Sequence, residues 1–221
     1  MRPDTPLRTV VQCDFDDTIV LQNMSRVVLE RFACGDWLSI EDRYAQGGIT
    51  VERCNQLQWL LVKGSREEIR EVVLSQARVR QGFSRFVEIC REWGVRLVVV
   101  SNGLDVYIEP VLDRLGLGDL EHYSGTVDFT PEGLKVRYID LSGVETDKGF
   151  QLACQEHLRE SADYMVYIGD GTSDVAPALR TDLVMARSTL AAEMEAREHP
   201  FTPFETFDDV VRALTEWWES Y

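Results

Sequence analysis

Apolar residues along the chain fall into two alternating patterns. Val10-Val11-Gln12-Cys13, Leu97-Val98-Val99-Val100 and Tyr164-Met165-Val166-Tyr167-Ile168 are short, β-rich and almost uninterrupted by polar residues. Such runs read as strands buried on both faces. Between them, apolar positions recur every three or four residues, the period of an amphipathic helix. Together the patterns predict strands at about 9–14, 95–101, 164–169 and 182–186, with helices at about 83–93, 104–115, 147–159 and 173–180. A stretch from Tyr123 to Ile139 alternates polar and apolar residues around Pro131-Glu132-Gly133 and predicts a β-hairpin beside the sheet. Phe204-Glu205-Thr206-Phe207-Asp208-Asp209 opens a last helix that ends near Trp217-Trp218.

The segment from about Leu21 to Gln76 breaks the alternation. Val27, Val28 and Phe32, then Leu57, Leu60 and Leu61, then Ile69, Val72 and Val73 keep helical spacing throughout. Strands alternating with helices call for a parallel sheet wound on both faces. The expected fold is therefore α/β: a doubly wound, mostly parallel, Rossmann-like sheet with a small all-helical domain. Residues 1–20 and 77–221 form the expected core, and 21–76 the helical insertion.

Composition narrows the partners. With a net charge of −15 and a pI near 4.6, the chain would be repelled by nucleic-acid phosphates and by anionic membrane surfaces. No apolar run approaches the roughly 20 residues needed to cross a bilayer, and the N-terminus lacks a basic-then-apolar leader. A cytoplasmic protein, monomer or homodimer, is expected. The five cysteines, Cys13, Cys34, Cys54, Cys90 and Cys154, are odd in number and widely spaced, and read as buried thiols.

Chemistry concentrates where strands end. The first strand runs into Asp14-Phe15-Asp16-Asp17-Thr18. In an extended segment Asp14 and Asp16 leave on the same side and meet one substrate. Paired carboxylates call for a compensating cation, and a hard oxygen site suits magnesium. The second strand ends in Ser101-Asn102-Gly103, small polar residues able to cradle a phosphate. Lys148 precedes a helical pattern, and the third strand ends in Gly169-Asp170-Gly171-Thr172-Ser173-Asp174. Asp17 is expected to point away into solvent. Asp174 also precedes Val175-Ala176-Pro177-Ala178-Leu179 and reads equally as a helix N-cap.

These four segments, in this order, resemble the signature of the haloacid dehalogenase-like phosphohydrolases, and the resemblance covers nearly the whole chain. It implies that Asp14 is the nucleophile, forming an aspartyl-phosphate from a phosphomonoester, and that Asp16 is the general acid and then base. It implies Mg2+ held by Asp14, the Asp16 backbone carbonyl and Asp170, with Asp174 a ligand or the orienter of a bound water. Ser101 and Asn102 would bind the phosphoryl oxygens, and Lys148 would neutralise charge on the phosphate and on Asp14. Thr18 would fix the loop.

The helical insertion resembles the cap of the subfamily containing phosphoserine phosphatase, which covers the site and reads the leaving group. Those enzymes bind the amino acid with a cap Glu near the position of Asn23 and a cap Arg near Gln56. Neither charge is present here. The wording of Val127–Gly133, Tyr167–Gly171 and Pro203–Phe207 is more similar to the phosphatases of methionine salvage, although residues 134–147 lack the cysteine-rich stretch some of them carry. The small-molecule substrate expected first is 2-hydroxy-3-keto-5-methylthiopentenyl-1-phosphate. Phosphoserine, phosphoethanolamine and phosphocholine remain alternatives, as do a phosphotransferase to an alcohol acceptor and a catalytically silent binding protein. Asn23, Arg26 and Arg53 are the expected leaving-group contacts, with Met24, Trp37 and Tyr44 further candidates.

Overall fold

The computed structural model describes residues 8–219. Its first strand, β1 (Thr9–Cys13), is buried at every position, as a strand covered on both faces must be. β1 pairs in parallel with β2 (Arg96–Leu104) on one side and with β6 (Tyr164–Gly169) on the other. Among the described residues the sheet has eight strands in the order β5-β4-β3-β2-β1-β6-β7-β8. β7 is Leu183–Ala186 and β8 is Thr202–Pro203. From β1 the chain steps outward through β2, then returns to β6 on β1's other flank. Right-handed crossovers in opposite directions lay their helices on opposite faces, so the order reverses at β1. The carboxyl end of β1 is therefore the crevice where an open α/β sheet binds ligands.

The hairpin, β3 (His122–Thr130) and β4 (Gly133–Ile139), is antiparallel within itself. It is not beside the sheet: β3 pairs in parallel with β2, making the hairpin an arm of the same sheet, and β5 (Glu145–Thr146) closes that edge. β2 also runs on through Ser101-Asn102-Gly103, longer than its apolar stretch predicts.

Four helices fill the segment between β1 and the next core helix: α1 (Met24–Phe32), α2 (Trp37–Ala45), α3 (Val51–Trp59) and α4 (Arg66–Gln76). Each starts at a side chain that accepts a backbone N–H, namely Asn23, Asp36, Thr50 and Ser65. Ser65 and Glu68 complete a reciprocal capping box. The helices are fastened to the core by Trp59, fully buried with its indole N–H on Ser25 Oγ at 2.9 Å, its ring 6.1 Å from that of Tyr107. The hairpin tip braces them too. Gly133 (φ 149) lies so close that an added Cβ would sit 2.2 Å from the Leu60 carbonyl, and Lys63 Nζ donates to the Glu132 carbonyl.

The remaining helices are α5 (Phe83–Trp93), α6 (Asp105–Arg114), α7 (Phe150–Arg159), α8 (Val175–Ala178), α9 (Ser188–Ala196) and α10 (Phe207–Glu219). α9 lies outside the sequence-based expectation. α5 and α10 join through Phe83, Phe86 and Phe207, whose rings lie 5.0 and 5.3 Å apart. Cys13, Cys54, Cys90 and Cys154 are buried, but Cys34, in the turn after α1, is exposed. No described helix is long and apolar enough to cross a membrane.

Candidate active site

Asp14 follows β1 directly. Its N–H donates to the Ile168 carbonyl at 2.9 Å, continuing the pairing with β6 and delivering the carboxylate at the sheet's carboxyl edge. The chain then turns, with Asp17 in the left-handed region (φ 55). Two arginines hold that turn from behind. Arg80, 5% exposed, donates to the carbonyls of Asp17, Thr18 and Glu205, and Arg187 donates to the Asp17 carbonyl. Asp17 is half-buried and lines the crevice, contrary to its expected solvent orientation.

Three carboxylates converge at this edge. Asp14, Asp170 and Asp174 each offer an oxygen within 4.8 Å of the others. Thr18 Oγ1 donates to Asp170 Oδ1 at 2.9 Å, tying the β1 loop to the β6 loop. Asp174 is completely buried and accepts four hydrogen bonds. Tyr167 Oη (2.7 Å) and Gln151 Nε2 (2.9 Å) reach Oδ1, while the N–H groups of Asp170 (2.9 Å) and Gly171 (2.8 Å) reach Oδ2. The last two bonds tie its side chain back to its own loop rather than to the start of α8. Four donors fill the lone-pair sites of one carboxylate. A Cβ at position 169 would lie 2.6 Å from Asp174 Oδ2, so only glycine leaves room for this arrangement.

Burial lifts the carboxyl pKa of Asp14 well above its usual value, and repulsion from Asp174, Asp170 and Asp16 adds to it. Asp170 is pushed up to about 7, by burial and then by Asp174. Among the described residues no salt bridge reaches any of the three. A cluster so short of positive charge fits a divalent cation with oxygen ligands. The carbonyls of Phe15, Asp17 and Thr18 all accept hydrogen bonds, whereas that of Asp16 accepts none among the described residues and stays available.

The Asp16 carboxylate stands apart from the cluster. Met24 N–H, at the start of α1, donates to Oδ1 at 2.7 Å, and Tyr107 Oη donates to Oδ2 at 2.6 Å. Gly103 makes space for the pair, since a Cβ there would lie 2.7 Å from Tyr107 Oη. Burial pushes the Asp16 pKa up to about 7 against the opposing pull of these two donors. Asp14 and Asp16 line one cavity of about 280 Å³ with Ser101, Asn102 and Asp170. The Ser101 hydroxyl receives Gly103 N–H at 3.0 Å and lies near enough to Asp14 to pull its pKa down against the burial.

The sequence model of the haloacid dehalogenase-like hydrolases matches residues 11–180, the stretch that carries Asp14, Asp16, Ser101, Asn102, Asp170 and Asp174. The chain belongs to this family. A protein of Brevibacillus brevis bearing the name 2-hydroxy-3-keto-5-methylthiopentenyl-1-phosphate phosphatase is 30% identical over 95% of the chain and 96% of its own length. One of Geobacillus thermodenitrificans with the same name is 33% identical over 93% and 94%. A substrate-bound phosphoserine phosphatase shares the fold with a TM-score of 0.69 at 16% identity, covering 93% of this chain and 98% of its own. This member of the family is a phosphatase.

Two expected placements differ in this hydrolase. Lys148 is exposed, outside the cavity that holds Asp14, and its ammonium has no partner among the described residues. The cause is a turn pinned at both ends. Thr146 Oγ1 bonds across it to Lys148, Thr50 Oγ1 donates to the Asp147 carbonyl, and Glu52 accepts the N–H of Phe150. The side chain that does reach Asp14 from α7 is Gln151, which the motif spacing gave no reason to choose.

Arg53 is the second. A cavity of about 470 Å³ opens among α1–α3 and shares Asp17, Asn23, Ser25, Tyr44, Val51 and Asn55 with the crevice that holds Asp14. On α3 its wall is Val51, Cys54, Asn55 and Gln58, one helical face, and Arg53 falls on the opposite, exposed face hydrogen-bonded to Gln56. Asn23 and Arg26 do line the cavity. Arg26 is already engaged by Glu30 (3.0 Å) and Glu41 (3.6 Å), with its guanidinium 5.7 Å from the centre of the Trp37 ring. Asn55 and Tyr107 escaped the sequence reading; each is an ordinary position in a helical pattern until the fold brings it to the site.

Proposed function

We propose that the chain hydrolyses a small phosphomonoester with an uncharged leaving group in two steps, with 2-hydroxy-3-keto-5-methylthiopentenyl-1-phosphate as its substrate. Asp14 attacks the phosphorus and the ester oxygen leaves; Asp16, near neutrality in pKa, supplies the proton to that oxygen and then takes one from the water that cleaves the aspartyl-phosphate. Ser101 and the Asn102 amide hold phosphoryl oxygens. Asp14, Asp170 and the Asp16 carbonyl would hold magnesium, with Asp174 orienting them, and the ion would supply positive charge to the phosphoryl oxygens. Lys148 serves the phosphate by turning inward, which its unpartnered ammonium leaves it free to do. Helices α1–α4 act as the cap that excludes water. We place the reaction in the cytoplasm and the protein as a monomer or homodimer.

The single observation that carries the substrate is the cavity under the cap. Its one cation, Arg26, is spoken for by two glutamates, so the carboxylate of phosphoserine would find no free partner there. Apart from Asp17, at the end shared with the crevice, what remains is uncharged: amides, a serine, a tyrosine, a tryptophan, a leucine, a valine and a thiol, suited to a polar carbon chain with an apolar methylthio end. The test is phosphate release from that ester, phosphoserine, phosphoethanolamine and phosphocholine, with magnesium and with chelator. Magnesium-dependent release with the highest kcat/KM on the methylthio ester is expected, and Asp14→Asn should abolish it. A preference for phosphoserine would overturn the substrate.

A further inference from the structure

Gln151 is 2% exposed and lies at the first turn of α7. Its amide nitrogen faces three acceptors: Asp174 Oδ1 at 2.9 Å, Asp14 Oδ1 at 3.3 Å and the Val100 carbonyl at 3.4 Å. Its oxygen accepts from Asn102 Nδ2 at 2.8 Å. The amide's orientation follows from its surroundings, because carboxylates and a carbonyl do not donate and the nitrogen must be the atom that faces them. Its backbone is fixed as well, with Gln12 Nε2 donating to the Gln151 carbonyl at 3.2 Å. One buried side chain thus touches the carboxylate after β1, the saturated carboxylate after β6 and the phosphate-loop amide at the end of β2.

From this geometry we infer that Gln151 is a positioning residue of the phosphatase reaction, which fixes the rotamer of Asp14 against Asp174 and the orientation of Asn102 with one neutral amide. Two carboxylates this close repel each other and swing apart unless something lies between them. A lysine or arginine there would offset the charge but would also compete with the cation the cluster needs. A neutral donor steadies both carboxylates and leaves their net charge intact for magnesium. Groups that orient metal-binding carboxylates from behind typically change metal affinity or activity by about 10- to 100-fold when removed. The linkage to Asn102 adds a second effect: the side chain of a residue in the proposed phosphate cradle is held by the same residue that sets the nucleophile, and misplacement of either reduces kcat.

The inference rests on the proposed roles of Asp14 and Asp174, so the experiment includes Asp14→Asn beside Gln151→Met, which keeps the shape and removes both the donor and the acceptor. For Gln151→Met, kcat is expected to fall about 10- to 100-fold with KM for the ester within about twofold, and the magnesium dissociation constant of the resting protein, read by calorimetry, to rise about tenfold. A merely structural residue would lower the melting temperature and leave kcat and the magnesium constant of the folded protein unchanged; that result overturns the inference. Should Gln151→Met fail to fold, Gln151→Asn keeps a buried amide but falls one methylene short of the carboxylates and reads the same quantities. Substantial turnover by Asp14→Asn would overturn the role of Asp14 and the inference with it. A dead Asp14→Asn beside a Gln151→Met of wild-type kcat and magnesium affinity would overturn the inference alone.

Discussion

Asn55 joins the helical insertion to the end of β2 through a small triangle of hydrogen bonds. Its Nδ2 donates to the Asn102 carbonyl at 2.8 Å and to Tyr138 Oη at 2.7 Å, and Tyr138 Oη donates to the same carbonyl at 2.6 Å. Asn55→Ala removes two bonds at a site only 9% exposed. At about 1 kcal/mol net per bond the loss is about 2 kcal/mol, with no orphaned carbonyl because Tyr138 still serves Asn102. For a chain of this size that lowers the melting temperature by roughly 4–8 °C. Asn55→Asp is almost the same shape yet should be worse than alanine. Its carboxylate faces the Asn102 carbonyl with no proton to give, and it draws the Tyr138 hydroxyl away, leaving a buried acceptor unpaired at a further cost of about 1–3 kcal/mol. Calorimetric melting of the three proteins at pH 7 gives the order wild type, then Asn55→Ala, then Asn55→Asp. An aspartate variant as stable as the alanine variant would refute the triangle, and a shift under 1 °C for both would refute the attachment.

Gly169→Ala forces a Cβ to 2.6 Å from Asp174 Oδ2, so the carboxylate must leave the N–H groups of Asp170 and Gly171; turnover should fall at least tenfold in a folded protein, measured as kcat by phosphate release. Arg80→Met leaves the Thr18 and Glu205 carbonyls without their donor, and urea unfolding should show a loss of about 2–4 kcal/mol. The Asp209 carboxyl is held down to about 2, first by the N–H groups of Thr206 and Glu205. Its contribution is full above the unfolded value near 3.8 and fades as pH falls toward 2, so the gap in urea midpoint between wild type and Asp209→Ala should narrow from pH 5 to pH 3.

By itself the sequence determined the elements and the order of the catalytic motifs, because both are local. Val10 to Cys13 is apolar enough to be a central strand whatever surrounds it, and strands separated by helical stretches leave few topologies beyond a doubly wound sheet. Once such a sheet forms, Asp14, Ser101 and Asp170 all fall toward its carboxyl edge. The hairpin's place inside the sheet, the half-burial of Asp17 and the division of labour among the acids were decided only by tertiary structure. Four donors from three segments saturate Asp174, and Tyr107 and Met24 turn the Asp16 carboxylate away from the cluster. Tertiary structure also placed Gln151 at Asp14 and left Lys148 outside, since Thr50 and Glu52 pin the intervening turn from almost one hundred positions away in the chain. Hydrophobic periodicity reports which face of an element is buried; it carries no information on which distant polar group that face will meet.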